Sequence, residues 1–323
     1  MAKKSIKRPA RLQEALVLHK YILHLLGCKD LEALSRDLKD PALEGVDDEG
    51  TSRIFYALKM HMYDYEIKEE KLYEYDRNIV KHTKEINEKR DEKITWKYYQ
   101  YLALLFTEIY LDRYFSDKQR LLDDINTFLV HDFNQRTETW HDMPMFTEDN
   151  LNKVAFWAAT GSGKTLMMHV NIKQYLHYAE KHNAKKLNRI MILTPNEGLS
   201  KQHIDELQKS NFNAQFFSKQ SRDGFFTGQS IDVIDINKLD EKDGNKTVAV
   251  DSFEGNNLVL VDEGHKGSGG EVWKGYRNKL TQEGFSFEYS ATFGQAIASQ
   301  TGANRMALLE EYGKATLFDY SYR

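Results

Sequence analysis

The stretch FWAATGSGKT, residues 156–165, follows an apolar run with a turn that has almost no side chains. Gly161 and Gly163 would let successive backbone N–H groups point inward around a phosphate, and the helix beginning near Lys164 would direct its positive end at the same place. Lys164 would bridge the β- and γ-phosphates of a nucleotide, and the Thr165 hydroxyl would bind Mg²⁺. The predicted nucleotide-binding residues are Thr160, Gly161, Ser162, Gly163, Lys164 and Thr165.

This turn departs from the P-loop pattern G-x-x-x-x-G-K-[ST] at one position, because Ala158 stands where the pattern has its first glycine. A chance glycine-rich turn is the alternative for any such match that stands alone. The position of the turn directly after an apolar strand favours a phosphate-binding loop.

A second group of reactive side chains lies in LVLVDEGH, residues 258–265. Asp262 would support Mg²⁺ at the end of a strand, and Glu263 would orient and deprotonate an attacking water. Two acids directly after four apolar residues are uncommon as mere surface charge. Together with the P-loop, they make nucleotide hydrolysis the leading reaction.

The elements that must position these residues are strands of a parallel sheet. From Asn152 onward short apolar runs alternate with helical stretches: VAFWA, RIMILTP, NAQFF, IDVIDI, LVLVDE and FSFEYSAT. Continuous apolar strands separated by helices predict a parallel sheet with helices on both faces. The predicted fold class is therefore α/β, with a P-loop domain over residues 146–323 and ligands at the carboxyl ends of its strands.

The first part of the chain, residues 1–145, has a different pattern. Between Leu12 and about Val130 apolar residues recur at helical spacing, and glycine and proline are rare. One predicted helix runs from Leu12 to Leu26 and ends at Gly27. This part is predicted to be an all-helical domain that precedes the P-loop domain.

Composition limits the partners and the compartment. The formal net charge is −4, so attraction to a polyanion must come from a local patch. Cys28 is the sole cysteine, which excludes an internal disulfide framework and fits a reducing cytoplasm. No apolar run approaches the roughly 18 to 20 residues that span a bilayer, so no membrane association is predicted.

Four sequence motifs, in order, resemble those of superfamily 2 helicases and translocases of the DExH type. AATGSGKT is similar to motif I, LTPNEGLSKQH (193–203) to motif Ia, DEGH to motif II and SAT (290–292) to motif III. The resemblance implies a RecA-like fold and ATP as the nucleotide. It places Thr194 and Pro195 in a loop that approaches a sugar-phosphate backbone. It also makes His265, Ser290 and Thr292 the link between the nucleotide site, nucleic acid and a partner domain; on its own, His265 would be a satisfied loop histidine.

Within that superfamily, FWAATGSGKT, VDEGHKGSGGE and the closing FDYSYR look most like the restriction subunits of type III restriction enzymes and related phage-defence helicases. The resemblance implies an ATP-dependent DNA translocase or helicase with Glu263, Lys164 and His265 as catalytic residues. Duplex DNA is the expected track, and a methyltransferase or nuclease subunit is a further expected partner.

A motor of this kind has two RecA-like domains, the second of which supplies an arginine to the γ-phosphate. Residues 146–323 account for the first domain alone, so the second is expected beyond Arg323 or in another chain. Hydrolysis by this chain alone is then expected to be weak. The alternative function is an ATP-binding regulatory module that does not step and recruits a partner through its helices. A second motor domain is the feature that distinguishes the two.

Overall fold

The computed structural model describes residues 11–61, 66–136, 142–217, 230–240, 248–249, 255–263 and 271–321. The helices are α1 (Val17–Leu25), α2 (Leu31–Ser35), α3 (Arg53–His61), α4 (Glu69–Asn87), α5 (Tyr98–Ser116), α6 (Lys118–Phe128), α7 (Asn134–Arg136), α8 (Lys164–Lys181), α9 (Glu197–Lys209), α10 (Glu271–Leu280), α11 (Phe293–Ala298) and α12 (Gly302–Ala315). The strands are β1 (Lys153–Ala158), β2 (Arg189–Thr194), β3 (Ala214–Phe216), β4 (Ile231–Asp235), β5 (Leu239–Asp240), β6 (Val248–Ala249), β7 (Asn257–Asp262), β8 (Phe285–Ser290) and β9 (Thr316–Tyr320).

Seven of these strands form one sheet in the order β3-β4-β2-β7-β8-β1-β9, and each neighbouring pair is parallel. Non-consecutive neighbours require crossover connections, which α8 and α9 supply after β1 and β2. Helices flank the sheet, and helical residues precede it. The predicted α/β class, with a parallel sheet flanked by helices and preceded by a helical region, is confirmed.

The six predicted strands are all present, and each is short because its apolar run is short. Residues 258–261 of β7 are buried, as expected for a strand covered on both faces. β9 was not predicted, although TLFDY is a short apolar run that is buried up to Asp319. Its pairing with β1 places the end of the described chain beside the predicted phosphate loop.

The first helix differs from its prediction. A 3-10 turn at Leu12–Glu14 comes first, and α1 begins only at Val17 because Leu16 has a non-helical ψ of 78°. The break lets the backbone of Ala15 approach α12, where a Cβ on Gly313 would lie 2.6 Å from the Ala15 carbonyl oxygen. The predicted apolar stripe is nevertheless buried, and the helix ends just before Gly27, whose φ is +65°.

The helical region packs directly on the sheet domain. α5 is buried continuously from Tyr101 to Asp112, the pattern of a helix that is covered on all sides, and it lies against α8. The buried apolar core is continuous from Leu12 in the helical region to Phe318 in β9. The division into domains at residues 145 and 146 stays a prediction.

A buried polar cluster joins these two parts. Glu108 on α5 is fully buried and accepts hydrogen bonds from Tyr178 at 2.6 Å, Gln174 at 2.7 Å and Asn78 at 2.9 Å. Two of these donors lie on α8 and the third lies on α4. The Glu108 carboxyl group therefore helps to anchor α8, the helix after the predicted phosphate loop, to the helical region.

This carboxyl group is expected to give folding stability a specific pH dependence. Burial raises the pKa of Glu108 from 4.5 to about 7. The folded state therefore holds the proton more tightly than the unfolded chain, so the contribution is fully present below pH 4.5 and is lost as pH rises to about 7. Over that window we expect the Glu108 contribution to the free energy of unfolding to fall by about 3 kcal/mol.

Urea denaturation of the protein and of Glu108→Gln at roughly pH 5 and roughly pH 7.5 measures this difference. Glutamine has nearly the same shape and does not titrate, so the variant should lose less stability between the two values than the unchanged protein. Equal losses in the two proteins would contradict the assignment.

None of the helices in the described part of the chain is both long and apolar enough to cross a bilayer.

Candidate functional site

The candidate site lies at the edge of the sheet where the parallel strands end. The register pairs Trp157 of β1 with Ser290 of β8, and Tyr289 of β8 with Asp262 of β7. On the other side of β7, Val261 pairs with Leu193 of β2. The predicted loops after β1, β2, β7 and β8 therefore leave the sheet at the same edge, as expected for ligand sites of parallel sheets.

The loop between β1 and α8 has the backbone of a phosphate-binding turn. Gly161 has a φ of +77° and Gly163 a φ of +86°, a region that residues with a Cβ rarely adopt. A Cβ on Gly161 would meet no heavy atom within 4 Å, so the loop faces open space there. Gly163 is the N-cap of α8, and the first N–H groups of a helix have no acceptor within it. Both features fit a negatively charged ligand.

The side chains of the loop support the same interpretation. The Lys164 ammonium lies 3.2 Å from the carbonyl oxygens of Ala158 and of Ala159, folded back onto the loop that carries it. Ser162 is buried, and its Oγ has no hydrogen-bond partner among the described residues. Thr160 is exposed and Thr165 is half-buried in the first turn of α8. The loop therefore combines one cation with an exposed and a half-buried threonine hydroxyl.

The helical region also contacts this loop, a contact that no sequence pattern indicates. The Gln100 amide, in the first turn of α5, donates to the Ser162 carbonyl oxygen at 2.8 Å. A Cβ on Gly163 would collide with that amide. From the other side, Ala159 donates its backbone N–H to the Tyr320 carbonyl oxygen at 3.1 Å. Tyr320 in turn stacks on Tyr99, with ring centroids 4.0 Å apart. The loop is thus held by Gln100, which lies 62 positions before Ser162 in the chain, and by Tyr320 in the last described strand.

The two predicted acids follow each other at the end of β7. Asp262 is the last residue of the strand, and His203 Nε2 lies 2.9 Å from Asp262 Oδ2. Glu263 comes next with a φ of +56°, a left-handed conformation that is uncommon for a residue with a Cβ. Such local strain is frequent at functional sites.

Burial, together with the charge of Asp262, raises the pKa of Tyr289 well above its ordinary value, so its hydroxyl stays protonated. The predicted residue His265 lies outside the described residues.

The loop after β8 is tied to the strand that leads into the phosphate loop. Trp157 Nε1 donates to the Ala291 carbonyl oxygen at 3.1 Å, and Gly294 lies so close to the Trp157 ring that a Cβ would be 2.7 Å from it. Ser290 is fully buried, and its Oγ accepts from the Thr292 backbone N–H at 3.0 Å. The two predicted coupling residues Ser290 and Thr292 are therefore brought into contact with each other and held beside β1.

The loop after β2 turns the Thr194 side chain into the protein. Thr194 is fully buried, and its hydroxyl lies 2.6 Å from Ser200 Oγ. Pro195 is half-buried, and its carbonyl oxygen accepts from Asn237 at 3.2 Å. In this arrangement the Thr194 hydroxyl stabilises the turn into α9, so any contact of the loop with a ligand falls on Pro195 and the exposed Asn196. The nucleic-acid role of Thr194 and Pro195 stays a prediction.

Within the described ranges, no group of three or more His, Cys, Asp or Glu side chains is arranged to hold a metal ion. Thr165 and Asp262, the predicted Mg²⁺ residues, offer one hydroxyl and one carboxylate. Mg²⁺ is usually bound through one or two carboxylates, with phosphate and water oxygens completing its shell. The pair fits that kind of ion.

Comparison with known proteins places these loops in a family. The family model described as "Type III restriction enzyme, res subunit" matches residues 71–295, which include part of the helical region, the phosphate loop and both acids. No curated protein matches the chain.

Among solved structures, the chain is similar to one titled "Sulfolobus solfataricus SWI2/SNF2 ATPase core in complex with dsDNA", with 13% sequence identity and a TM-score of 0.35. That alignment covers 53% of this chain and 41% of the other, so the chain spans less than half of that relative. The family match extends over more than half of the present sequence. The chain therefore belongs to the family of the type III restriction enzyme res subunit.

Proposed function

We propose that this chain binds and hydrolyses ATP as the first RecA-like domain of a DNA translocase or helicase. One observation carries the proposal: a turn with two left-handed glycines opens the 18-residue helix α8 at the sheet edge where Asp262 ends β7 and Glu263 follows it. A phosphate loop alone would support nucleotide binding. The pair of acids two strands away supports hydrolysis.

In this proposal the triphosphate binds along residues Thr160 to Thr165. The open face of Gly161 leaves room for phosphate oxygens. Lys164 exchanges its two carbonyl contacts for the β- and γ-phosphates, which are stronger acceptors because they are charged. Thr165 and Asp262 would hold Mg²⁺, which when bound neutralises charge on the phosphate oxygens.

The hydrolytic step in this proposal uses Glu263 as the base. Its carboxylate orients a water towards the γ-phosphorus and accepts a proton as the new oxygen–phosphorus bond forms. Lys164 stabilises the negative charge on the phosphate oxygens while the bond between the γ-phosphorus and the leaving ADP breaks. An arginine from a second RecA-like domain, in the same polypeptide or another one, would complete the site.

The DNA and defence roles rest on the family match together with the motif order. The family name refers to restriction, so we propose duplex DNA as the track, the cytoplasm as the setting and genome defence as the purpose, with a methyltransferase or nuclease subunit as partner. Ser290, Thr292 and His265 would link ATP to DNA. The contact of Trp157 with Ala291 supports that link, because it joins the strand of the phosphate loop to the loop after β8.

A second candidate is a regulatory module that binds ATP without stepping. The contact of Gln100 with the Ser162 carbonyl oxygen favours it, because nucleotide binding at the loop would be felt directly by the helical region. In that case the helices recruit a partner when ATP is bound. DNA would then have no effect on turnover.

Steady-state ATPase activity with and without duplex DNA tests these candidates, with Glu263→Gln as the blank. The first candidate predicts turnover that DNA stimulates and the variant lacks. Nucleotide binding without DNA-stimulated turnover, even when a second RecA-like domain is added, would favour the second candidate. Absence of nucleotide binding would overturn both.

A further inference from the structure

His203 lies on the buried face of α9 and reaches the end of a neighbouring strand. The buried residues of this helix are Ser200, His203, Ile204 and Leu207, the spacing of one helix face. α9 follows β2, and β2 is the sheet neighbour of β7. A long side chain on this face is therefore close to the residue that ends β7, which is Asp262.

The contact between the two side chains is short and shielded from water. His203 Nε2 lies 2.9 Å from Asp262 Oδ2, and the His203 side chain is 3% exposed. His203 Nδ1 is buried with no hydrogen-bond partner among the described residues. Because a buried N–H without an acceptor is costly, the tautomer that this contact favours has its N–H at Nε2, where it donates to the Asp262 carboxylate.

α9 is itself held in place from the helical region. Arg90, just after α4, donates to Ser210 Oγ at 2.7 Å and pairs with the Glu206 carboxylate at 3.0 Å. Ser210 caps the end of α9, and its Oγ is also 2.8 Å from His169 Nδ1 on α8. These contacts hold the C-terminal end of α9, the helix that carries His203, against the helical region and α8.

We propose that His203 is a positioning residue that orients the Asp262 carboxylate towards Mg²⁺. A hydrogen bond to Oδ2 restricts rotation of the carboxyl group and leaves Oδ1 free to face the phosphate loop. Outer-shell donors of this kind typically change metal affinity or activity by 10- to 100-fold. The inference rests on the proposed function, because it assigns Asp262 to Mg²⁺.

The test compares binding of a fluorescent ATP analogue with Mg²⁺ and in its absence, where EDTA is present. His203→Ala should weaken binding of the Mg²⁺-loaded nucleotide by about 10-fold and leave binding of the metal-free nucleotide unchanged. His203→Gln should restore most of the loss, because the glutamine amide nitrogen reaches about as far as Nε2. His203→Asn, which is shorter, should not.

The matched control is His19→Gln. His19 is also buried, and its Nδ1 lies 3.0 Å from the Leu317 carbonyl oxygen, a contact outside the candidate site. This variant should lower the melting temperature without changing the effect of Mg²⁺. If His203→Ala does not fold, the comparison of Mg²⁺-dependent nucleotide binding between His203→Gln and His203→Asn still tests the inference.

Two results would overturn the inference in different ways. Equal Mg²⁺ dependence in the unchanged protein and in the His203 variants means that the contact is merely structural, while the proposed function stands. Failure of the unchanged protein to bind nucleotide under either condition removes the proposed function and the inference with it.

Discussion

Lys164→Ala is expected to abolish binding of ATP. The Lys164 ammonium stands in the first turn of α8, 3.2 Å from two carbonyl oxygens of its own loop, and is the charged side chain of that loop. A hydrogen bond to a charged group contributes about 1.5–3 kcal/mol, and Lys164 would make such bonds to two phosphates. Their loss corresponds to binding weaker by roughly 10²- to 10⁴-fold, measurable by calorimetric titration with ATP.

The matched control for this variant is Lys185→Ala. Lys185 pairs with Glu283 on the surface, and its side chain is 71% exposed. Its removal changes the net charge by the same amount and should leave ATP affinity unchanged. Lys164→Arg should recover little, because a planar guanidinium does not replace a compact ammonium in a narrow turn. Normal affinity in Lys164→Ala would exclude the loop as the phosphate site.

The features of the candidate site that could be predicted from the sequence depend on residues that are neighbours in the chain. Gly161 and Gly163 shape the turn through their own backbone conformation, and Lys164 follows them directly. Asp262 and Glu263 come directly after the apolar residues of β7. The spacing of glycines and apolar residues carries that information without knowledge of the fold. The parallel sheet could be predicted for the same reason, because each of its predicted strands is a short continuous apolar run.

The contacts that sequence did not predict join residues far apart in the chain. Gln100 meets the phosphate loop because α5 packs on α8, and nothing near Gln100 indicates this. His203 lies 59 residues before Asp262, at the end of the stretch that resembles motif Ia. Its helical spacing with Ser200 and Leu207 predicts burial but not a partner. β9 was missed because its apolar run is short and begins directly where α12 ends, with no turn residues between them.

The break in the first helix shows a different limit. Apolar spacing predicted which residues from Leu12 to Leu26 are buried, and they are. It did not predict that the helix is interrupted at Ala15 and Leu16, because the interruption serves a close approach to Gly313 on α12. Periodicity reports the buried face of a segment, whereas the packing of a distant helix decides where its backbone must bend.

Glu263→Gln is expected to separate binding from hydrolysis. The substitution keeps the size of the side chain and retains a Cβ, so the left-handed backbone at this position, with a φ of +56°, is strained to the same extent in both proteins. Phosphate and Mg²⁺ binding depend on other residues, so affinity for ATP should change little. Loss of the base should lower the rate of hydrolysis by about 10²- to 10⁴-fold.

Single-turnover hydrolysis measures this effect separately from nucleotide affinity and product release. The matched control is Glu283→Gln, an exposed glutamate that lies before β8 and so at the opposite edge of the sheet. It should hydrolyse ATP at the normal rate. Normal hydrolysis by Glu263→Gln would reassign the base, whereas loss of ATP binding in this variant would mean that Glu263 holds the nucleotide or its metal. We expect Asp262, whose Oδ2 lies 2.9 Å from His203 Nε2, to serve the metal, and Glu263, on the strained turn, to serve the water.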